Sequence, residues 1–131
     1  MKSKVSGLAI FCLFFSTLFS SAISNSTSLS QQNKYSEREK IELLLQSIKS
    51  LKDVKFERNG SVHEADAAVK LLKSKLNKVG IDNVTAQEFI EKIASKSSTS
   101  GQPYYIIYPN GSKITAGEFL KKKLQEIESR N

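Results

Sequence analysis

At the edges of three apolar stripes in this chain, the first residue ahead of the helix is a hydroxyl side chain that precedes a glutamate by three residues. The pairs are Ser36 with Glu39, Thr85 with Glu88, and Thr115 with Glu118. Such pairs act as capping boxes, because each side chain satisfies a backbone donor that a helix start leaves free. Each therefore fixes the entrance of a helix, and the spacing leaves room only for short strands between helices. After the first box Ile41, Leu44, Leu45, Ile48 and Leu51 recur at three- and four-residue intervals, one buried stripe of an amphipathic helix. After the second, Phe89, Ile90, Ile93 and Ala94 point inward; after the third, Phe119, Leu120, Leu124 and Ile127 do. A further helix without a box carries Ala65, Ala68, Val69, Leu72, Leu76 and Val79 on one face, with Gly80 as its C-terminal stop.

Two extended segments remain. Val54 and Phe56 alternate with polar residues between Asp53 and Arg58, as in a half-buried strand, and Asn59-Gly60 ends it in a turn. Tyr104 to Tyr108 is strongly β-prone and runs into the turn Pro109-Asn110-Gly111. The predicted order is α-β-α-α-β-α: a small, helix-rich α+β single domain over residues 35–129. A two-stranded antiparallel or similarly short sheet packs on the helices, since two strands alone are marginal in water. No internal repeat and no second domain is visible.

The N-terminus reads differently. Lys2 and Lys4 precede an apolar run from Val5 to Phe19, and small residues follow at Ser20, Ser21, Ala22 and Ser24. That order predicts a secretory signal peptide over residues 1–24, cleaved near Ala22 or Ser24, and hence a periplasmic or secreted protein. The run is shorter than the roughly 20 apolar residues of a spanning helix, so no membrane span is expected after cleavage. Residues 25–34 are polar and aperiodic, a flexible lead. Cleavage removes Cys12, the only cysteine, and with it any disulfide or thiol chemistry. Losing Lys2 and Lys4 lowers the formal charge from +7 to +5, which favours acidic partners and aids solubility. The lysines are spread along helices without interleaved aromatics, so nucleic acid is not an expected partner.

The spaced pattern Phe56-x-Arg58-Asn59-Gly60-x-x-His63, followed by Ala68, Leu72, Lys75 and Leu76, resembles the YfeK-like family of small exported bacterial proteins. A second block agrees: Thr85-Ala86, Phe89-Ile90, Ile93-Ala94-Ser95, Ser97-Ser98, Ser100-Gly101 and Pro103-Tyr104. The resemblance runs from about Glu37 to Ile127 and implies export and one compact domain. It brings no reaction or ligand, because the family is a domain of unknown function. It also implies a cysteine on each strand in some relatives, at the positions of Val54 and Tyr108 here. Strand pairing in this chain must then rest on packing and backbone bonds.

Two polar clusters are the candidate site. One is Phe56 to His63; the other is Ser95 to Tyr104, with hydroxyls at Ser95, Ser97, Ser98, Thr99 and Ser100. Pairing of the two strands would bring Arg58, Asn59, His63, Ser95, Ser97, Ser98, Ser100, Gly101 and Tyr104 to one patch. Arg58 offers forked donors for a carboxylate or phosphate, or pairs with Glu57, Glu64, Glu91 or the carbonyls ending the third helix. His63 is a titratable base near neutral pH, or a structural residue that joins Ser61 and Glu64 at a helix start. The serines either cap helix carbonyls or hold a nucleophile, yet neither G-x-S-x-G nor S-x-x-K with its partner motifs is present. One histidine and no mature cysteine give no soft metal site, and no cofactor is expected. The expected function is non-enzymatic binding of a small anionic ligand or an envelope protein. The alternatives are a hydrolase using a serine with His63, and a lysozyme-inhibitor-like protein using Ser100-Gly101-Gln102-Pro103-Tyr104.

Overall fold

A computed structural model describes residues 34–130, so the signal peptide and nearly all of the flexible lead lie outside the described residues. Helix α1 spans Glu37–Lys49 and buries Ile41, Leu44, Leu45 and Ile48, as its periodicity predicts. All three capping boxes form, with Ser36, Thr85 and Thr115 each accepting from the backbone N–H of its glutamate. Helix α2 spans Ala65–Val79 and ends at Gly80, whose N–H bonds to the Leu76 carbonyl at 2.8 Å. It buries Val69, Leu72 and Leu76, whereas Val79 is 47% exposed and lies off the buried stripe. A 3-10 turn at Ile81–Asn83 leads to α3, Ala86–Glu88, which widens into a π-helical segment at Phe89–Ala94. Phe89, Ile90, Ile93 and Ala94 are all buried, and α4 spans Ala116–Glu128.

The sheet corrects the predicted order. It has four strands, not two: β1 (Lys55–Arg58), β2 (Ser61–His63), β3 (Tyr105–Ile107) and β4 (Lys113–Thr115), in the spatial order β2-β1-β3-β4 and antiparallel throughout. The element order is therefore α-β-β-α-α-β-β-α around the expected central pair β1 and β3. Both predicted turns are hairpin turns. Asn59 (φ 50°) and Gly60 (φ 78°) are both left-handed, and two such residues match the twist that joins antiparallel strands. The added strands carry three residues each, too short to show an alternating pattern in sequence.

One face of the sheet carries Phe56 and Ile106, paired with each other, and the helices cover it. The other carries Lys55, Glu57, Tyr105, Ile107 and Lys113, where Lys113 bonds Glu57 at 2.6 Å across the intervening strand. Val54 is buried and Tyr108 packs partly buried against the same core, so hydrophobic packing fills the positions where the resemblance implies cysteines.

Candidate functional site

The β1–β2 hairpin sets the first half of the site. Its register pairs Phe56 with His63 and Arg58 with Ser61. Side chains alternate along a strand, so Phe56, Arg58 and His63 share the face turned to the helices. His63 thus sits on a strand rather than in a helix start. Glu64 is the N-cap residue of α2 and makes no side-chain capping bond, which corrects the structural role expected for Ser61, His63 and Glu64.

The serine loop sets the second half. Ser97 is 1% exposed and acts as its pivot: its N–H bonds the Gln102 carbonyl at 2.9 Å and its carbonyl accepts from Gly101 N–H at 2.9 Å. The Ser97 hydroxyl oxygen accepts from Thr99 N–H and Ser100 N–H at 3.4 Å and from Asn59 Nδ2 at 3.3 Å. Ser100 Oγ donates in turn to Asn59 Oδ1 at 2.6 Å. Asn59 is therefore the stitch that joins the two clusters. Ser95 lies apart from the pocket lining; its hydroxyl donates to the Ile90 carbonyl at 2.5 Å, so it caps the π-helical segment. Ser98 is exposed in the turn at the loop's tip.

Tyr104 lies under both halves, 7% exposed, its N–H on the Ser95 carbonyl and its own carbonyl accepting from Ala116 N–H at 2.8 Å. A loop that presented Tyr104 to a partner would have to unbury it. The phenol meets Arg58, Ser97 and Lys75, and burial raises its pKa against the opposing pull of the Arg58 charge. Lys75 is the residue that sequence reasoning undervalued. Its Nζ donates to the Ile93 carbonyl at 2.5 Å and to the Lys96 carbonyl at 3.1 Å, and lies 5.2 Å from the Tyr104 ring centroid. Lys75, not Arg58, takes the carbonyls that end the third helix. The available signal was a lysine set between Leu72 and Leu76 on an otherwise apolar stripe. Burial, aided by the neighbouring Arg58 charge, lowers the Lys75 pKa.

Arg58 is left with unusual surroundings. Among the described residues no carboxylate lies in ion-pair range of it: Glu57 pairs with Lys113 and Glu64 with Lys55. Its Nε is shut off from solvent and has no hydrogen-bond partner. Arg58, His63 and Tyr104 line a pocket of ≈ 100 Å³ whose remaining wall is mainly apolar, including Phe56, Ala68, Leu72 and Ala116. Of the nine candidate residues, three reach this pocket. Asn59, Ser97, Ser100 and Gly101 build the loop beside it. Among the described residues no hydrogen bond joins His63 to a serine hydroxyl, and no His, Cys, Asp or Glu cluster could hold a metal.

Comparison with known proteins adds a family. The model of a family of unknown function, DUF5329, matches residues 35–128. The uncharacterised protein YfeK of Salmonella typhimurium strain LT2 is 40% identical over 68 residues, 52% of this chain and 57% of that protein. The match thus spans little more than half the length of that relative. No solved structure matches.

Proposed function

The chain belongs to the DUF5329 family of unknown function, and we propose that it is an exported, non-enzymatic binding or accessory protein that takes an anionic group at the pocket of Arg58, His63 and Tyr104. The carrying observation is the Arg58 side chain, which lines the pocket with no carboxylate in ion-pair range among the described residues. Lys75 adds positive potential beside it, so the local field favours an anion over a neutral acceptor. The basic start and apolar run before Ser20 support export.

The test is thermal melting of the purified protein against phosphate, small carboxylates and anionic envelope glycans, beside Arg58→Gln and His63→Ala. A ligand at about 100 times its Kd adds about 2.7 kcal/mol, enough to raise Tm by several degrees in a domain of this size. Wild type should shift and a well-folded Arg58→Gln should not. Equal shifts in wild type and Arg58→Gln would place any binding elsewhere.

A further inference from the structure

The pocket behind Arg58 is small, and its wall is mainly apolar; Glu57 also lines it, with its carboxylate paired to Lys113. Ala67, Ala68, Ala94 and Ala116 line it together with Leu71 and Leu72. Four alanines leave space where larger side chains would close it. A simple inorganic anion would use Arg58 and leave this space unfilled. An engineered apolar cavity of roughly 150 Å³ holds benzene, so a pocket of ≈ 100 Å³ admits about four carbons. The donor set limits the head group as well. Lys75 already spends its ammonium on the Ile93 and Lys96 carbonyls, which leaves Arg58, bonded to the Tyr104 phenol and to no carboxylate, as the one arginine or lysine lining the pocket among the described residues. A planar carboxylate with a single charge matches one guanidinium fork. A phosphate brings more charge and more acceptor oxygens than this rim has donors to meet.

We infer that the pocket takes a short aliphatic monocarboxylate, its alkyl chain lodged among Phe56, Ala68, Leu72 and Ala116 and its carboxylate on Arg58. This rests on the anion-binding reading of the same pocket and adds the apolar body of the ligand. Chain length should therefore register as affinity. Each methylene buried tightens binding about fourfold, until the pocket is full.

The experiment is a nitrogen-15 NMR titration of the protein with acetate, propanoate, butanoate, pentanoate, hexanoate and octanoate, with pentanamide as the uncharged control. Affinity should climb to about pentanoate and then level or fall, with shifts at residues 58, 68, 104 and 116. Pentanamide should bind at least tenfold more weakly, since it brings no charge and one acceptor oxygen where the carboxylate brings two. Arg58→Gln should weaken pentanoate to the same degree. Ala68→Leu, which takes up the space meant for the alkyl chain, should abolish the rise with chain length. It also carries the test should Arg58→Gln not fold. A series flat in chain length, or an amide as tight as its acid, sinks the monocarboxylate inference. If phosphate or acetate then still binds in an Arg58-dependent way, the anion-binding reading survives alone. Binding indifferent to Arg58→Gln overturns both.

Discussion

Asn59 carries two duties at once, and they can be separated. Its backbone is left-handed at φ 50°, and its amide ties the hairpin to Ser97 and Ser100. Asn59→Ala should lose both and destabilise by about 1–2 kcal/mol, because alanine, unlike asparagine or glycine, does not readily enter that conformation. Asn59→Gly should restore the backbone share while leaving the serine loop untied. Urea midpoints for the two variants, with amide exchange at Thr99 and Ser100, would resolve them. Equal stability in both would mean the backbone conformation contributes nothing, and Asn59→Gly as stable as wild type would mean the amide bonds contribute nothing. Gly117 is a residue whose need is purely steric. A Cβ there would stand 2.7 Å from Ser95 Oγ, so Gly117→Ala should cost about 1–3 kcal/mol by overpacking α4 against the serine. Lys75→Met keeps the stem but leaves the Ile93 and Lys96 carbonyls without their donor, and should cost about 1–3 kcal/mol in the same assay. The Asn59 turn was readable because Asn-Gly tolerates positive φ. The roles of Lys75 and Gly117 were not, since each is defined by atoms far away in sequence.

At the scale of elements, helix starts were the most readable feature of the chain. Each capping box is local chemistry within four residues, so Ser36, Thr85 and Thr115 needed no tertiary context. The same boxes predict acid sensitivity. Hydrogen bonds from the Ser36 and Thr115 hydroxyls, followed by those from their backbone N–H groups, hold Glu39 and Glu118 below the usual carboxylate range. Glu88 is held at about 2, first by its bond from Lys92 and then by the Thr85 backbone. A carboxylate depressed in the folded state stabilises above its unfolded pKa, and that share is lost as pH falls through the folded value. Helicity should therefore be level down to about pH 5 and decline in steps below it, Glu88 titrating last, near pH 2. Circular dichroism against pH checks this, and a Glu88→Gln variant should lack the lowest step. Loss of helicity beginning at pH 6 would mean the boxes do not control it. Strands were harder to read. β2 and β4 are three residues long and owe their form to pairing with β1 and β3.

Across the whole molecule, one buried cation ties the helices together. Lys40 is 3% exposed, and its ammonium bonds Glu37 at 2.8 Å and Glu128 of α4 at 3.1 Å. Glu37 also accepts from Ala86 N–H at 2.7 Å, which fastens the start of α3 to α1. Burial alone would lower the Lys40 pKa, but the bonds from Glu37 and Glu128 outweigh it and raise it. Burial would likewise raise Glu37, and its bonds with Lys40 and Ala86 override that and lower it. A raised lysine gives stability that is full below about pH 10.5 and lost above it; a lowered glutamate gives stability lost below about pH 4.5. The network should thus stabilise evenly between those limits. Lys40→Ala should cost about 1–3 kcal/mol, and Lys40→Met less, because the lysine stem is itself packed. Guanidinium unfolding of the pair checks it; identical losses would mean the stem contributes no packing.

Residue order alone determined the helices, their entrances, the central pair of strands and the composition of both polar clusters. All of these rest on interactions spanning a few residues or on a repeating apolar face. Tertiary structure alone decided that Asn59 would stitch the clusters together and that Lys75 would take the helix-end carbonyls. It also left Arg58 beside a mainly apolar pocket with no carboxylate in ion-pair range among the described residues. The reason is physical: a hydrogen bond depends on ångström distances between groups up to 88 residues apart, and no local pattern encodes which of several donors arrives first at a given acceptor.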